Sequence, residues 1–307
     1  MLTIFEKMFR LSSIAKVAIV LIFVMACSVM AKDKLVIAVS FAPYAYLIDV
    51  IGGDKVEVIT LLPPGADLRT YKPKTQELKE FSRAEVYFTD GSGADKAWLS
   101  YFRQVKQSVK IVDISEKVEW LSGKNQTLDP SVWTSVERMN LISMNVRDAL
   151  SRLRPEDDRY FTVNYSYLLY RANRVGDNLK RAVFRLPQNS KNFVTTSPLF
   201  SYLAHDYKLQ QLHVGVSGND PKSKELKKIV EEGQKNKSLL VFVPPQFSEK
   251  AKETIAKGLG AKVLALDPLK YNYLENVKAI TNTVNEIVEE VRKSNPPKSL
   301  FKPVLKK

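Results

Sequence analysis

The stretch at 155–186, PEDDRYFTVNYSYLLYRANRVGDNLKRAVFRL, carries apolar residues at Phe161, Tyr165, Leu168, Ala172, Val175, Leu179, Ala182 and Leu186. Spacings of four and three alternate without a break, and one glycine but no proline follows Pro155 inside it. Residues three and four apart share one face of an α-helix, so the pattern specifies a single long helix with one buried stripe. At about 1.5 Å per residue it reaches roughly 48 Å, enough to run along two lobes as a spine. A spine of this kind limits hinge motion between the lobes.

Short β-branched runs stand on both sides of it. KLVIAVS (34–40), VEVITLL (56–62), AEVYFT (84–89) and VKIVDI (109–114) read as strands separated by helical segments, and NFVTT (192–196), QLHVGV (211–216), SLLVFV (238–243) and AKVLAL (261–266) repeat the rhythm. Strand–helix alternation indicates parallel sheets with helices on their faces. The expected fold class is therefore α/β, with an N-terminal lobe over 32–154, a linking spine helix over 155–187 and a C-terminal lobe over 188–293. The tail at 294–307 is rich in Pro and Lys and is expected to be disordered.

The chain has 307 residues, 45% of them hydrophobic, which is ample for a packed core. Its first 16 residues include Lys7, Arg10 and Lys16, and VAIVLIFVMACSVMA follows, so 1–31 reads as a signal peptide and the protein as exported. Cleavage after Ala31 is the favoured reading; lipid attachment at Cys27 is the alternative, giving a tethered periplasmic or extracytoplasmic protein. Cys27 is the only cysteine, which excludes an internal disulfide and any cysteine metal site. The formal charge is +14, or +12 without residues 1–31, which hold three Lys or Arg and one Glu. The cations are scattered rather than clustered with aromatics, so nucleic acid is not the expected partner, and a basic surface facing anionic lipid is.

Catalysis needs a poised acid, base or nucleophile with partners, and little here offers one. The chain has two histidines, no G-x-S-x-G and no H-E-x-x-H, and GSG at 91–93 reads as a turn rather than a phosphate loop. His205 and His213 have no pairing partner in the sequence pattern and read as structural or surface residues. The expectation is a protein that is not an enzyme.

SFAPYAYLIDVIGGDKVEVITLLPPGADLRTYKPKTQELKEFSRAEVYFTDGSG, followed by LDPSVW, KNFVTTSPLFSYLAHDYKLQQ and VPPQFSEKAKETIAKGLGAKVLALDPL, resembles the zinc/manganese solute-binding proteins of ABC importers. The resemblance covers nearly all of 34–290, in order. It implies two α/β lobes joined by a rigid helix, a transition metal held between them and an importer permease as partner. It also implies four ligand positions, three histidines and a carboxylate. In this chain they fall on Arg69, after PPGAD; on Ser131, within DPSVW; on Ser197, within SPLFSYLA; and on Asp267, within LDPL. The His-rich loop of many zinc-specific members is absent near 120–128.

Only Asp267 keeps a ligand's chemistry. Zinc sites take about four N, S or O ligands, and manganese, though tolerant of oxygen, still needs several around one point. A guanidinium has no free lone pair and stays charged, so Arg69 repels a metal instead of binding one. Three functions follow from these residues. The first is an importer's metal-binding component with a rebuilt, oxygen-rich site for zinc or manganese. The second is a small-anion binder using Arg69. The third is an accessory protein whose cleft is closed by a salt bridge between Arg69 and Asp267, with Ser131 and Ser197 accepting the remaining guanidinium hydrogen bonds.

Overall fold

A computed structural model describes residues 33–63, 65–66, 71–122, 129–216 and 221–294. The chain from Val36 onward forms one compact unit. The signal-peptide reading of 1–31, the tail beyond Ser294 and the stretch 123–128 lie outside the described residues.

The first half contains β1 (Leu35–Val39), α1 (Ala42–Gly52), β2 (Val56–Thr60), α2 (Thr75–Phe81), β3 (Val86–Thr89), α3 (Gly93–Val105) and β4 (Lys110–Asp113). Their strands form a sheet of order β2-β1-β3-β4. β1 runs parallel to β3 with Ile37 opposite Val86, and β3 runs parallel to β4. After α4 (Val136–Leu153) and α5 (Asp158–Phe184), the second half repeats the plan with β5 (Asn192–Thr195), α6 (Ser201–Tyr207), β6 (Gln210–His213), α7 (Ser223–Lys235), β7 (Leu240–Val243), α8 (Glu249–Leu259), β8 (Lys262–Ala265) and α9 (Tyr273–Ser294). The second sheet has order β6-β5-β7-β8, all parallel, so the two sheets share one topology. The central strands of each are buried runs, as a parallel sheet covered on both faces requires.

Each lobe has an aromatic core. Trp133, fully buried, packs its ring 4.9 Å from Phe41 and 6.2 Å from Tyr44. In the other lobe Phe193 and Phe242 lie 4.5 Å apart with Phe200 against them.

The long helix is α5, and its buried residues are Phe161, Leu168, Ala172, Val175, Leu179, Ala182 and Val183. It packs against α1 and α4 and against α9, so it touches elements of both halves. Gly176 permits this approach, because a Cβ there would sit 3.3 Å from both Val136 Cγ1 and the Tyr207 hydroxyl. The α-helix is shorter than the sequence pattern suggests. Pro155–Asp157 form a separate 3-10 turn, and at the other end Pro187 disfavours helical backbone at the residue before it.

Candidate functional site

In open parallel sheets ligands bind beyond the carboxyl ends of the strands, where neighbouring connections diverge. In both sheets here that point lies between the first and third strands of the half, β1 and β3 or β5 and β7. Ser197 follows β5 by two residues and Asp267 follows β8 by two, so both occupy carboxyl ends in the C-terminal lobe. Arg69, on the connection after β2, lies outside the described residues, and so does the proposed Arg69–Asp267 pair.

Short side chains fold the backbone locally at each position. Ser197 N–H donates to Thr195 Oγ1 at 3.1 Å, and Ser197 Oγ accepts from Leu199 N–H at 3.3 Å. Asp267 Oδ1 accepts from Leu269 N–H at 2.9 Å, a turn that aspartate forms readily, and the Asp267 carbonyl accepts from Asn276 Nδ2 at 2.6 Å. Both side chains are half-buried.

Ser131 differs: it is fully buried. Its N–H and hydroxyl both donate to Asp129 Oδ1, at 2.8 and 2.5 Å. Ser201, on α6, donates to Asp129 Oδ2 and lies 3.0 Å from the Ser131 hydroxyl. Tyr202 Oη donates to the Asp129 carbonyl at 3.1 Å and accepts from Leu121 N–H at 2.9 Å. Ser131 is thus absorbed into a polar seam that joins the DPSVW turn of one lobe to α6 of the other. The Trp133 indole N–H, buried next to it, has no hydrogen-bond partner among the described residues.

The seam continues through an ion pair. Arg138 Nη1 donates to Asp206 Oδ1 at 2.6 Å, Arg138 Nε donates to the Glu119 carbonyl at 2.8 Å, and the guanidinium lies 5.0 Å from the centre of the Tyr202 ring. Ser135 donates to the other Asp206 oxygen. His205 Nδ1 lies 3.1 Å from Asp206 Oδ1 on the exposed side, while His213 ends β6 on the surface. A second bridge between lobes joins Tyr271 Oη to Asp49 Oδ2 at 2.7 Å, with Tyr46 edge-on to the Tyr271 ring.

The carboxyl end of β3 holds a pair of buried carboxylates that sequence reading missed. Asp90 and Asp95 are each 1% exposed. Asp90 accepts from Tyr44 Oη at 2.6 Å and from Ser92 N–H at 2.8 Å. Asp95 accepts from Tyr87 Oη at 2.7 Å and from the hydroxyls of Ser40 and Thr89. Burial, with the Asp95 charge added, raises the Asp90 pKa to about 7, and burial raises Asp95 against the hydroxyls that favour its anion. The GSG turn serves here as the entry to α3: Gly91 takes a φ of 69° and Ser92 Oγ caps Asp95 N–H at 3.1 Å. The available sequence signal was the D-G-S-G-A-D spacing.

Among the described residues no group of three or more His, Cys, Asp or Glu is placed to hold a metal. Ser131, Ser197 and Asp267 offer two neutral hydroxyls, one already committed to Asp129, and one carboxylate. That donor set does not by itself make a tight zinc site.

The family model described as "ZnuA: Zinc-uptake complex component A periplasmic" matches residues 37–287. A metal ABC transporter substrate-binding lipoprotein, FimA of Streptococcus parasanguinis, is 23% identical, with 83% of this chain and 88% of the relative covered. A putative metal-binding protein of Treponema pallidum is 25% identical, over 94% of this chain and 99% of its own. The crystal structure of ZnuA is similar with a TM-score of 0.71 at 30% identity, covering 84% of this chain and 99% of that one. The Zn(II)-bound ZnuA-like domain of Streptococcus pneumoniae AdcA shares the fold with a TM-score of 0.69 at 24% identity.

Proposed function

The chain belongs to the family of periplasmic zinc-uptake components, and from that membership we propose that it is the extracytoplasmic solute-binding component of an ABC-type metal uptake system with an altered metal site. One observation carries the reading: the family match runs from β1 into α9, across both sheets and the spine helix, so the whole receptor architecture is retained. The cargo is a zinc- or manganese-like cation, and the partner is the importer's permease. The chain catalyses no reaction. It works outside the cytoplasm, released after Ala31 or held through Cys27.

The site is altered at three of four positions. Arg69, Ser131 and Ser197 replace imidazole donors, and Asp267 supplies the remaining carboxylate. Oxygen donors favour harder cations over zinc, so manganese suits this set better than zinc does. Arg69 brings a fixed positive charge where the family resemblance implies a donor, which lowers affinity for a cation.

Uptake of radiolabelled manganese and zinc by cells with and without the gene tests the function. The reading expects slower uptake of at least one metal when the gene is deleted and recovery when it is restored. Unchanged uptake of both would overturn it.

A further inference from the structure

The outer face of α5 is unlike the rest of the surface. Among the described residues seven large hydrophobic side chains are exposed, and five of them, Tyr160, Val163, Tyr167, Tyr170 and Phe184, belong to this one helix. The first four recur at spacings of three, four and three, a second stripe on the side opposite the buried one. Val163, Tyr167 and Tyr170 are each about 60% exposed and Phe184 is 81% exposed. Core packing accounts for none of this.

Each exposed ring carries a cation. Arg171 lies 5.5 Å from the centre of Tyr167, Arg174 5.5 Å from that of Tyr170, Lys55 5.6 Å from that of Tyr160 and Lys191 5.9 Å from that of Phe184. Within Asp158–Phe184 the helix has five Arg or Lys residues and two acids, Asp158 and Asp177, and Arg185 follows it directly. At its C-terminal end Lys180, Arg181, Phe184 and Arg185 line an open groove of about 820 Å³ against Asn282 and Asn285 of α9. Cations at a helix C-terminus favour the helix dipole, which explains Arg181 and Arg185 alone but neither the aromatic stripe nor Arg171 and Arg174.

We propose that the outer face of α5 is a docking surface for a bilayer carrying anionic phospholipid. Tyrosine and phenylalanine rings fit the headgroup level, where one end of the ring meets apolar chains and the other water. The arginine or lysine beside each ring pairs with phosphate without withdrawing the ring from the interface. The stripe from Tyr160 to Tyr170 covers roughly 15 Å at 1.5 Å per residue, and Phe184 lies about 21 Å farther along the axis, so a bilayer that meets both runs along the helix. A protein partner's hot spot would be a compact cluster near the centre of the contact, whereas here the rings are spread singly along the helix. This inference is independent of the metal site.

The test reads the face itself, so that any contribution from the N-terminus is separated. Tyr167→Trp protein, as the cell exports it, is mixed with vesicles whose acyl chains carry bromine, a contact quencher of indole fluorescence. With vesicles of phosphatidylcholine and phosphatidylglycerol the indole signal gained by the substitution is quenched; with phosphatidylcholine alone, or in molar salt, it is not. Adding Arg174→Gln, Lys180→Gln and Arg181→Gln should weaken binding about tenfold or more while the melting curve stays native, since these three charges are exposed and exposed charges contribute little to stability. Equal quenching by neutral vesicles, no quenching by anionic ones, or binding untouched by the triple substitution would overturn the proposal. So would protection of the face by an acidic protein with no quenching by lipid.

Discussion

Arg138 on α4 and Asp206 on α6 form an ion pair 2.6 Å long between the two lobes, with side chains only 11% and 10% exposed. Each has further partners, Glu119 and Tyr202 for the guanidinium and Ser135 for the carboxylate, so the pair is the centre of a clasp. Breaking a desolvated pair from one side leaves a stranded charge and costs about 3 kcal/mol, whereas removing both charges leaves none. Arg138→Met and Asp206→Ala should therefore each lower stability by that amount, and the double variant by much less than the sum. Urea denaturation of the four proteins measures the coupling. Additive losses would show that the clasp contributes no interaction energy.

The spine is tested in its middle. Val175 is buried on α5, and Val175→Pro removes a backbone hydrogen bond and drives the ring into the preceding turn, at a cost of about 3 kcal/mol or more. Because α5 packs on elements of both halves, unfolding should lose its single cooperative transition. Circular dichroism during denaturation reads this directly. A wild-type curve would mean that the helix does not couple the lobes.

The buried pair at Asp90 and Asp95 predicts a pH dependence. Asp90 is raised from 3.8 to about 7, so in the folded protein it keeps a proton that the unfolded chain has lost. Its contribution to stability is full below pH 4 and is lost as pH rises through 7, with a limiting slope of about 1.4 kcal/mol per pH unit for one proton. Asp90→Asn, which still offers an oxygen to the Tyr44 hydroxyl, should flatten that decline. Melting temperatures between pH 4 and 8 provide the comparison, and identical slopes in the two proteins would contradict it.

Architecture was legible where its cause is local. The strands of both sheets follow from β-branched runs of a few residues, and α5 follows from the unbroken four-three spacing that places Phe161, Leu168, Val175 and Leu179 on one side. The α-helix ends at Phe184 although apolar spacing persists through Leu186, because the backbone there is governed by Pro187. The polar seam was not legible. Tyr44 meets Asp90 across 46 residues and Arg138 meets Asp206 across 68, and nothing near either partner marks the contact. Ser131 illustrates the limit: its position in DPSVW pointed to a lost ligand, but only the fold shows its hydroxyl turned to Asp129.

The proposed function implies a weakened site in a metal-receptor fold, with Arg69, Ser131 and Ser197 at the positions where the family resemblance implies imidazoles and Asp267 as the remaining carboxylate. Calorimetric titration of manganese and zinc into the metal-stripped protein tests it most directly. The expected result is no site tighter than micromolar for either ion, since one carboxylate and neutral hydroxyls cannot supply a full ligand set. A nanomolar, one-to-one site would contradict it.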